Sequence, residues 1–157
     1  MNDHSRILAY IAACRDKDEL SNLMANARRQ GARTVEDAAF RRLVAVVPDA
    51  EPGSLEHDFW TVIQAFELVL SQERRKTVRL SRTRQKVKRV GVAQTLADFA
   101  TGKPTEGFAM LKARGMLELS GEAVILKHPA QFAPAIVNAA RVRLASENRG
   151  DSSAGNR

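Results

Sequence analysis

Apolar residues recur every three or four positions along most of this chain, and that spacing predicts helices. Over 5–14, Ile7, Leu8, Ile11 and Cys14 share one helical face. Asp16 stands three residues before Glu19, an acidic pair suited to the start of a second helix, where carboxylates meet free amides and the positive end of the dipole. That helix places Leu20, Leu23, Met24 and Ala27 on one side and ends in Arg28-Arg29-Gln30-Gly31. Thr34 is the expected cap of a third helix holding Phe40, Leu43, Val44 and Val47, with Pro48 closing it.

Asp49-Ala50-Glu51-Pro52-Gly53 reads as a linker, short, polar and rich in helix breakers. Ser54 then caps the strongest helix of the chain, with Glu56 and Asp58 in its first turn. Phe59, Ile63, Phe66 and Leu70 form its stripe, widened by Trp60 and Val69, all expected in the core. The stripe fades after Ser71, and Thr77-Val78-Arg79-Leu80 alternates like an extended segment. Ser81 is the expected cap of a helix over 82–90 stopped by Gly91, with one unbroken helix over 54–90 as the alternative. Helices follow over 93–100, stopped near Gly102, and over 105–114, stopped by Arg114-Gly115. Residues 117–126 fit either a helix capped by Ser120 or a short β-hairpin turning at Ser120-Gly121. Pro134 opens a last helix expected to run to about Leu144. The polar end after Ser146 is expected to be disordered.

The pattern therefore predicts an all-α, compact multi-helix fold. It divides into a three-helix portion over 1–48, a helical core over 54–147 and a disordered tail over 148–157. The length of 157 residues suits a single domain or one with a small extra lobe. The apolar share of 44% allows a real core. A lone cysteine, Cys14, excludes an internal disulfide and fits a reducing compartment. No apolar stretch approaches the roughly 20 residues needed to cross a bilayer, and Met1 to Arg6 does not read as a signal peptide. A cytoplasmic protein is the expectation.

Charge changes this picture most. The run Arg74 to Arg89 holds nine basic residues in sixteen and no acidic one: Arg74, Arg75, Lys76, Arg79, Arg82, Arg84, Lys86, Lys88 and Arg89. Outside it the chain is slightly acidic, so the formal charge of +7 is local. On a helix, Leu80, Thr83, Val87 and Val90 fall within an arc of about 80°, leaving a thin apolar edge for the core and a wide cationic face. A solvated surface helix usually mixes signs, yet Arg75-Arg79, Arg82-Lys86 and Arg84-Lys88 are like-charge pairs four apart, which repel. Six of the nine are arginines, whose planar fork suits phosphate.

These nine residues are the expected phosphate clamps of a nucleic-acid-binding accessory or regulatory protein, with DNA favoured over RNA and little sequence preference. The alternative is a non-catalytic adaptor whose stripe docks on an acidic protein. A membrane partner is disfavoured, because the narrow apolar arc lacks Trp, Phe or a leucine cluster. No aromatic residue interleaves the basic run, which argues against stacking on single strands. The helices at 82–90, 93–100 and 105–114 suggest a helix-turn-helix-like bundle, although Thr105, Glu106, Gly107 and Lys112 are poor readers of base edges.

Other signals carry less. Thr101-Gly102-Lys103-Pro104-Thr105 lacks the first glycine of a phosphate loop and places proline after the lysine. His57-Asp58 resembles a metal-binding dipeptide but reads more simply as dipole-complementing polar surface, and His128 before Pro129 as a helix end. Cys14 reads as a buried inert thiol. No carboxylate pair, nucleophile–base set or metal cluster stands out, so neither an enzyme nor a cofactor is expected.

The segment from about Val78 to Leu144 resembles a group of small bacterial proteins. The shared features are Leu80-Ser81-Arg82-Thr83-Arg84-Gln85-Lys86, Gly107-Phe108, Arg114-Gly115-Met116, Glu118-Leu119 and His128-Pro129. The resemblance covers under half the chain. No activity is attached to that group, so it implies no substrate, cofactor or site. Threonine in the relatives where Ser120 stands implies a capped helix rather than a hairpin.

Overall fold

The structure, a computed structural model, describes the backbone of residues 3–154 and the side chains of residues 3–147. Among the described residues there are nine α-helices, two short 3-10 segments and no strand. The chain is all-α. It divides into two units, Met1–Pro52 and Gly53–Arg157, parting within the breaker-rich segment 49–53.

The first unit is three helices: α1 (Asp3–Ala13), α2 (Lys17–Arg29) and α3 (Arg33–Val46). Asp16 caps α2 as its position suggests, its Oδ1 accepting from the Glu19 amide at 3.1 Å. Gly31, at φ 70, supplies the left-handed turn after α2. Thr34 is not a cap. The turn is so tight that the Ala32 amide reaches back to the Ala27 carbonyl at 2.9 Å and α3 starts at once at Arg33, leaving Thr34 inside the first turn. Ile11, Leu20, Met24, Ala39, Phe40 and Val44 are buried. Cys14 is also buried, and its carbonyl accepts from Arg42 Nε at 2.7 Å.

The second unit is built on α4 (Leu55–Arg74), followed by α5 (Ser81–Val90), α6 (Val92–Thr101), α7 (Glu106–Ala113), α8 (Gly121–Lys127) and α9 (Pro134–Ala154). Ser54 Oγ caps α4 by accepting from the His57 amide at 3.1 Å. The predicted stripe of Phe59, Ile63, Phe66 and Leu70 is buried along its length, together with Val62, Ala65 and Val69. These residues meet α6, α7 and α8, while α9 lies on α6 and α8. Leu96, Ala100, Phe108, Leu111, Met116, Val124, Ile125 and Ala140 complete the core. Phe66 and Phe99 meet edge to face at 6.1 Å.

Gly107 lets α7 approach α4, because a Cβ there would stand 2.7 Å from the Phe66 ring. Residues 117–126 form a 3-10 turn and α8, with Ser120 as cap accepting from the Ala123 amide at 3.2 Å, so the hairpin alternative fails. The last helix continues to Ala154, past the stop expected near Leu144. The disordered tail expected over 148–157 overlaps the backbone of this helix as far as Ala154; its side chains, and residues 155–157 altogether, lie outside the described residues.

One buried ion pair joins three of these helices. Glu122 on α8 is 3% exposed and accepts from Arg143 on α9 at 3.0 Å. The same guanidinium donates to the Phe99 carbonyl at 2.5 Å and to the Gly102 carbonyl, capping the end of α6. Burial pushes the Glu122 carboxyl above its ordinary range, against the opposing pull of its backbone hydrogen bond and Arg143.

Candidate nucleic-acid interface

The basic run leaves α4 at a defined break. Arg75 takes a left-handed conformation, φ 54 and ψ 36, and ends the helix. The alternative of one unbroken helix over 54–90 is therefore overturned. Residues 77–80 take no regular secondary structure, and Leu80, at φ −81 and ψ 67, lies outside the extended region that their alternation suggests. Side chains of α4 accept from two amides of this stretch. Ser71 Oγ accepts from the Val78 amide at 2.8 Å and donates to the Glu67 carbonyl at 2.6 Å. Glu67 Oε2 accepts from the Leu80 amide at 2.7 Å. Ser81 is the first residue of α5 rather than its cap; Leu80 takes the cap position without a side-chain bond.

Glu67 also holds α5 itself. Arg84 donates from Nη2 to Glu67 Oε1 at 2.6 Å and from Nε to Oε2 at 2.9 Å, a two-pronged pair of low exposure on both sides. The hydrogen bond to Glu67 keeps the guanidinium more firmly protonated than usual, outweighing the opposite effect of desolvation. The Arg84 guanidinium also sits 5.4 Å from the centroid of the Trp60 ring. Trp60 is thus half-buried, not in the core, and supports the basic segment from beneath.

The nine predicted clamps fall into two groups. Arg74 pairs with Glu106 at 2.5 Å, Arg84 with Glu67, and Lys86 with Asp98, so three are neutralised by the protein's own carboxylates. The hydrogen bond from Lys86 and a second from Gln94 draw the Asp98 carboxyl below its ordinary range. Arg75, Lys76, Arg79, Arg82, Lys88 and Arg89 are exposed, and their side chains form no ion pair or hydrogen bond among the described residues. The charge is unevenly shared between the units. Residues 1–52 carry eight basic and eight acidic residues, and 53–157 carry 17 and ten.

The apolar edge of α5 is weaker than its pattern suggests. Leu80, Thr83 and Val87 are half-buried, Val90 is 40% exposed, and no residue of α5 is fully buried. The helix-turn-helix-like bundle does not form. Gly91, at φ 88, alone separates α5 from α6, and these two pack together, but α7 packs chiefly on α4.

Sequence reasoning missed a second cluster at the start of α4. His57 is 9% exposed, so Glu56-His57-Asp58 is not simply polar surface. The Asp58 carboxylate meets His128 Nε2 at 2.6 Å and Lys127 Nζ at 3.3 Å. Burial alone would raise the Asp58 carboxyl, but the bonds from His128 and Lys127 outweigh it and leave its pKa below the ordinary value. His128 also lines an open hollow of about 510 Å³ with Ser54, Glu56, Val92 and Gln131. The two partners lie 70 positions apart, so only the fold joins them. No group of three residues able to hold a metal ion occurs among the described residues, and no described helix is long and apolar enough to cross a membrane.

No protein-family model, curated protein or solved structure matches the chain.

Proposed function

We propose that the chain is a nucleic-acid-binding accessory or regulatory protein that grips the phosphate backbone through the basic segment. The observation that carries this reading is the division of labour among the nine cations. Six exposed and unneutralised charges, Arg75, Lys76, Arg79, Arg82, Lys88 and Arg89, border three that are tied down. Arg84 acts as a positioning residue, spending its charge on Glu67 so that α5 is held in place. Exposed arginines and lysines without acidic neighbours attract a polyanion, and they carry no base-reading geometry, so affinity with little sequence preference follows. DNA is the favoured form.

The test is a binding titration against duplex DNA, single-stranded DNA and RNA over a range of salt. With about six phosphates contacted, log K should fall with log salt at a slope near −5 on duplex. The triple change Arg82→Glu, Lys88→Glu, Arg89→Glu should abolish binding while the thermal melt stays put, since all three side chains are exposed. A flat salt response, or binding that survives the triple change, overturns the reading. Capture of one acidic protein that resists nuclease would favour the adaptor instead.

A further inference from the structure

Four hydroxyls lie in or beside the basic segment: Ser71, Thr77, Ser81 and Thr83. The structure separates them. Ser71 Oγ is spent twice, on the Val78 amide and on the Glu67 carbonyl. Thr83 is half-buried in α5 and faces Phe66, Leu70 and Phe99 across a small cavity. Ser81 is exposed, but it is the first residue of α5, a helix held down by Arg84 on Glu67. Of the four, only Thr77 is exposed and outside any helix. Its hydroxyl and its amide have no partner among the described residues.

The way the segment is fastened leaves that hydroxyl accessible. The Lys76, Val78 and Leu80 amides donate to the Ser71 carbonyl at 3.3 Å, Ser71 Oγ at 2.8 Å and Glu67 Oε2 at 2.7 Å, so alternate residues are tied to α4. Val78 and Leu80 are half-buried, whereas Thr77 and Arg79 are exposed. An enzyme that modifies a hydroxyl must reach the backbone beside it, which a helix keeps in its own hydrogen bonds. Thr77 can be reached without opening a helix. Charge marks the same residue. Arg74, Arg75 and Lys76 precede it directly, and no other serine or threonine of the chain follows three consecutive cations.

We propose that Thr77 is a phosphorylation site for a protein kinase that selects basic residues, and that its phosphorylation releases nucleic acid. The release rests on the phosphate-gripping role proposed above for this segment. In the transfer, the Thr77 oxygen bonds to the γ-phosphorus of ATP and the bond to the β-phosphate oxygen breaks. ADP leaves, and the hydroxyl proton passes to a base of the kinase. The product carries about −1.5 to −2 charge and three strong acceptor oxygens. Its nearest cations in sequence, Arg75, Lys76 and Arg79, are exposed and unpaired among the described residues, so they turn to it. Half of the six clamps are then spent internally, leaving Arg82, Lys88 and Arg89. The anchors on α4 stay in place, because Thr77 is not among the residues they hold.

The experiment treats the full chain with Mg-ATP and the catalytic subunit of a cyclic-AMP-dependent protein kinase, which selects paired arginines ahead of the hydroxyl. Mass spectrometry should find phosphate on Thr77. Thr77→Val should remove it and Ser81→Ala should not. No incorporation, or incorporation on Ser81 or Thr83 instead, overturns the site. The phosphorylated chain is then titrated with duplex DNA. With three contacts in place of six, the slope of log K on log salt should change from about −5 to about −3, and affinity in about 0.15 M salt should fall roughly a hundredfold. The thermal melt should not move, and a phosphatase should restore binding. Equal affinity and slope before and after phosphorylation overturn the release. A chain that binds no duplex even unmodified fails the nucleic-acid reading, and the release with it, while incorporation at Thr77 is judged on its own.

Discussion

Glu67 is a single carboxylate that serves three donors: the Leu80 amide and two nitrogens of Arg84. Removing it leaves the Arg84 charge poorly exposed and without its partner, and strips the Leu80 amide of its acceptor. Glu67→Ala should therefore lower unfolding free energy by about 3 kcal/mol, read as a shift of the urea midpoint. The same variant should weaken nucleic-acid binding although Glu67 is itself an anion, since the segment loses its seat. A variant that binds more tightly, as expected if Glu67 merely repelled phosphate, would contradict this role. Nothing in the local sequence marks Glu67 out. It lies 17 residues from Arg84, beyond the reach of helical spacing rules, and looks like an ordinary polar position flanking the stripe. The pairing of Asp58 with His128 was invisible for the same reason.

Most helices were legible because their signals are local. Asp16, Ser54 and Ser120 each cap the helix that follows, and each bond spans only three residues. Thr34 and Ser81 are equally good capping residues by type, yet neither caps. In both places the preceding chain had already found other acceptors, Ala27 for the Ala32 amide and Glu67 for the Leu80 amide, and the helix began early, by two residues at Arg33 and by one at Ser81. Packing between helices was less legible, because periodicity gives a face but not its partner. The link from Arg143 to Glu122, Phe99 and Gly102 is of that kind. Arg143→Ala should leave a nearly buried carboxylate unpaired and the end of α6 uncapped, at a cost of about 3 kcal/mol. Glu122→Gln should cost distinctly less, because the amide oxygen still accepts. Thermal or urea unfolding of the two variants distinguishes them, and equal losses would show that the charge of Glu122 matters more than its hydrogen bonding.

At the scale of the molecule, the basic excess belongs to residues 53–157, and the first three helices carry balanced charge. Helical content could be read in advance; which cations remain available to a partner could not, because each decision depended on a distant carboxylate. The second unit also responds to acid in a predictable direction. Asp58, at the start of α4, has a folded pKa below its ordinary value through its bonds to His128 and Lys127 at the end of α8. Its contribution is complete above the unfolded value of about 3.9 and is lost as pH falls through the folded one. Asp58→Asn should thus lower stability at pH 7 and flatten the loss between about pH 4 and pH 2, as urea midpoints across that range will show. An undiminished acid limb in the variant would place the dependence elsewhere.

The stacking of Arg84 on Trp60 has a practical outcome. Trp60 is the chain's one tryptophan, so a built-in fluorophore lies directly beneath the proposed contact surface. Its emission colour and quenching by iodide register whether the basic segment is seated or lifted, without any attached dye. Phosphate capture that leaves α5 docked would leave the spectrum nearly still, whereas a partner that peels α5 away would turn the indole toward water and redden it.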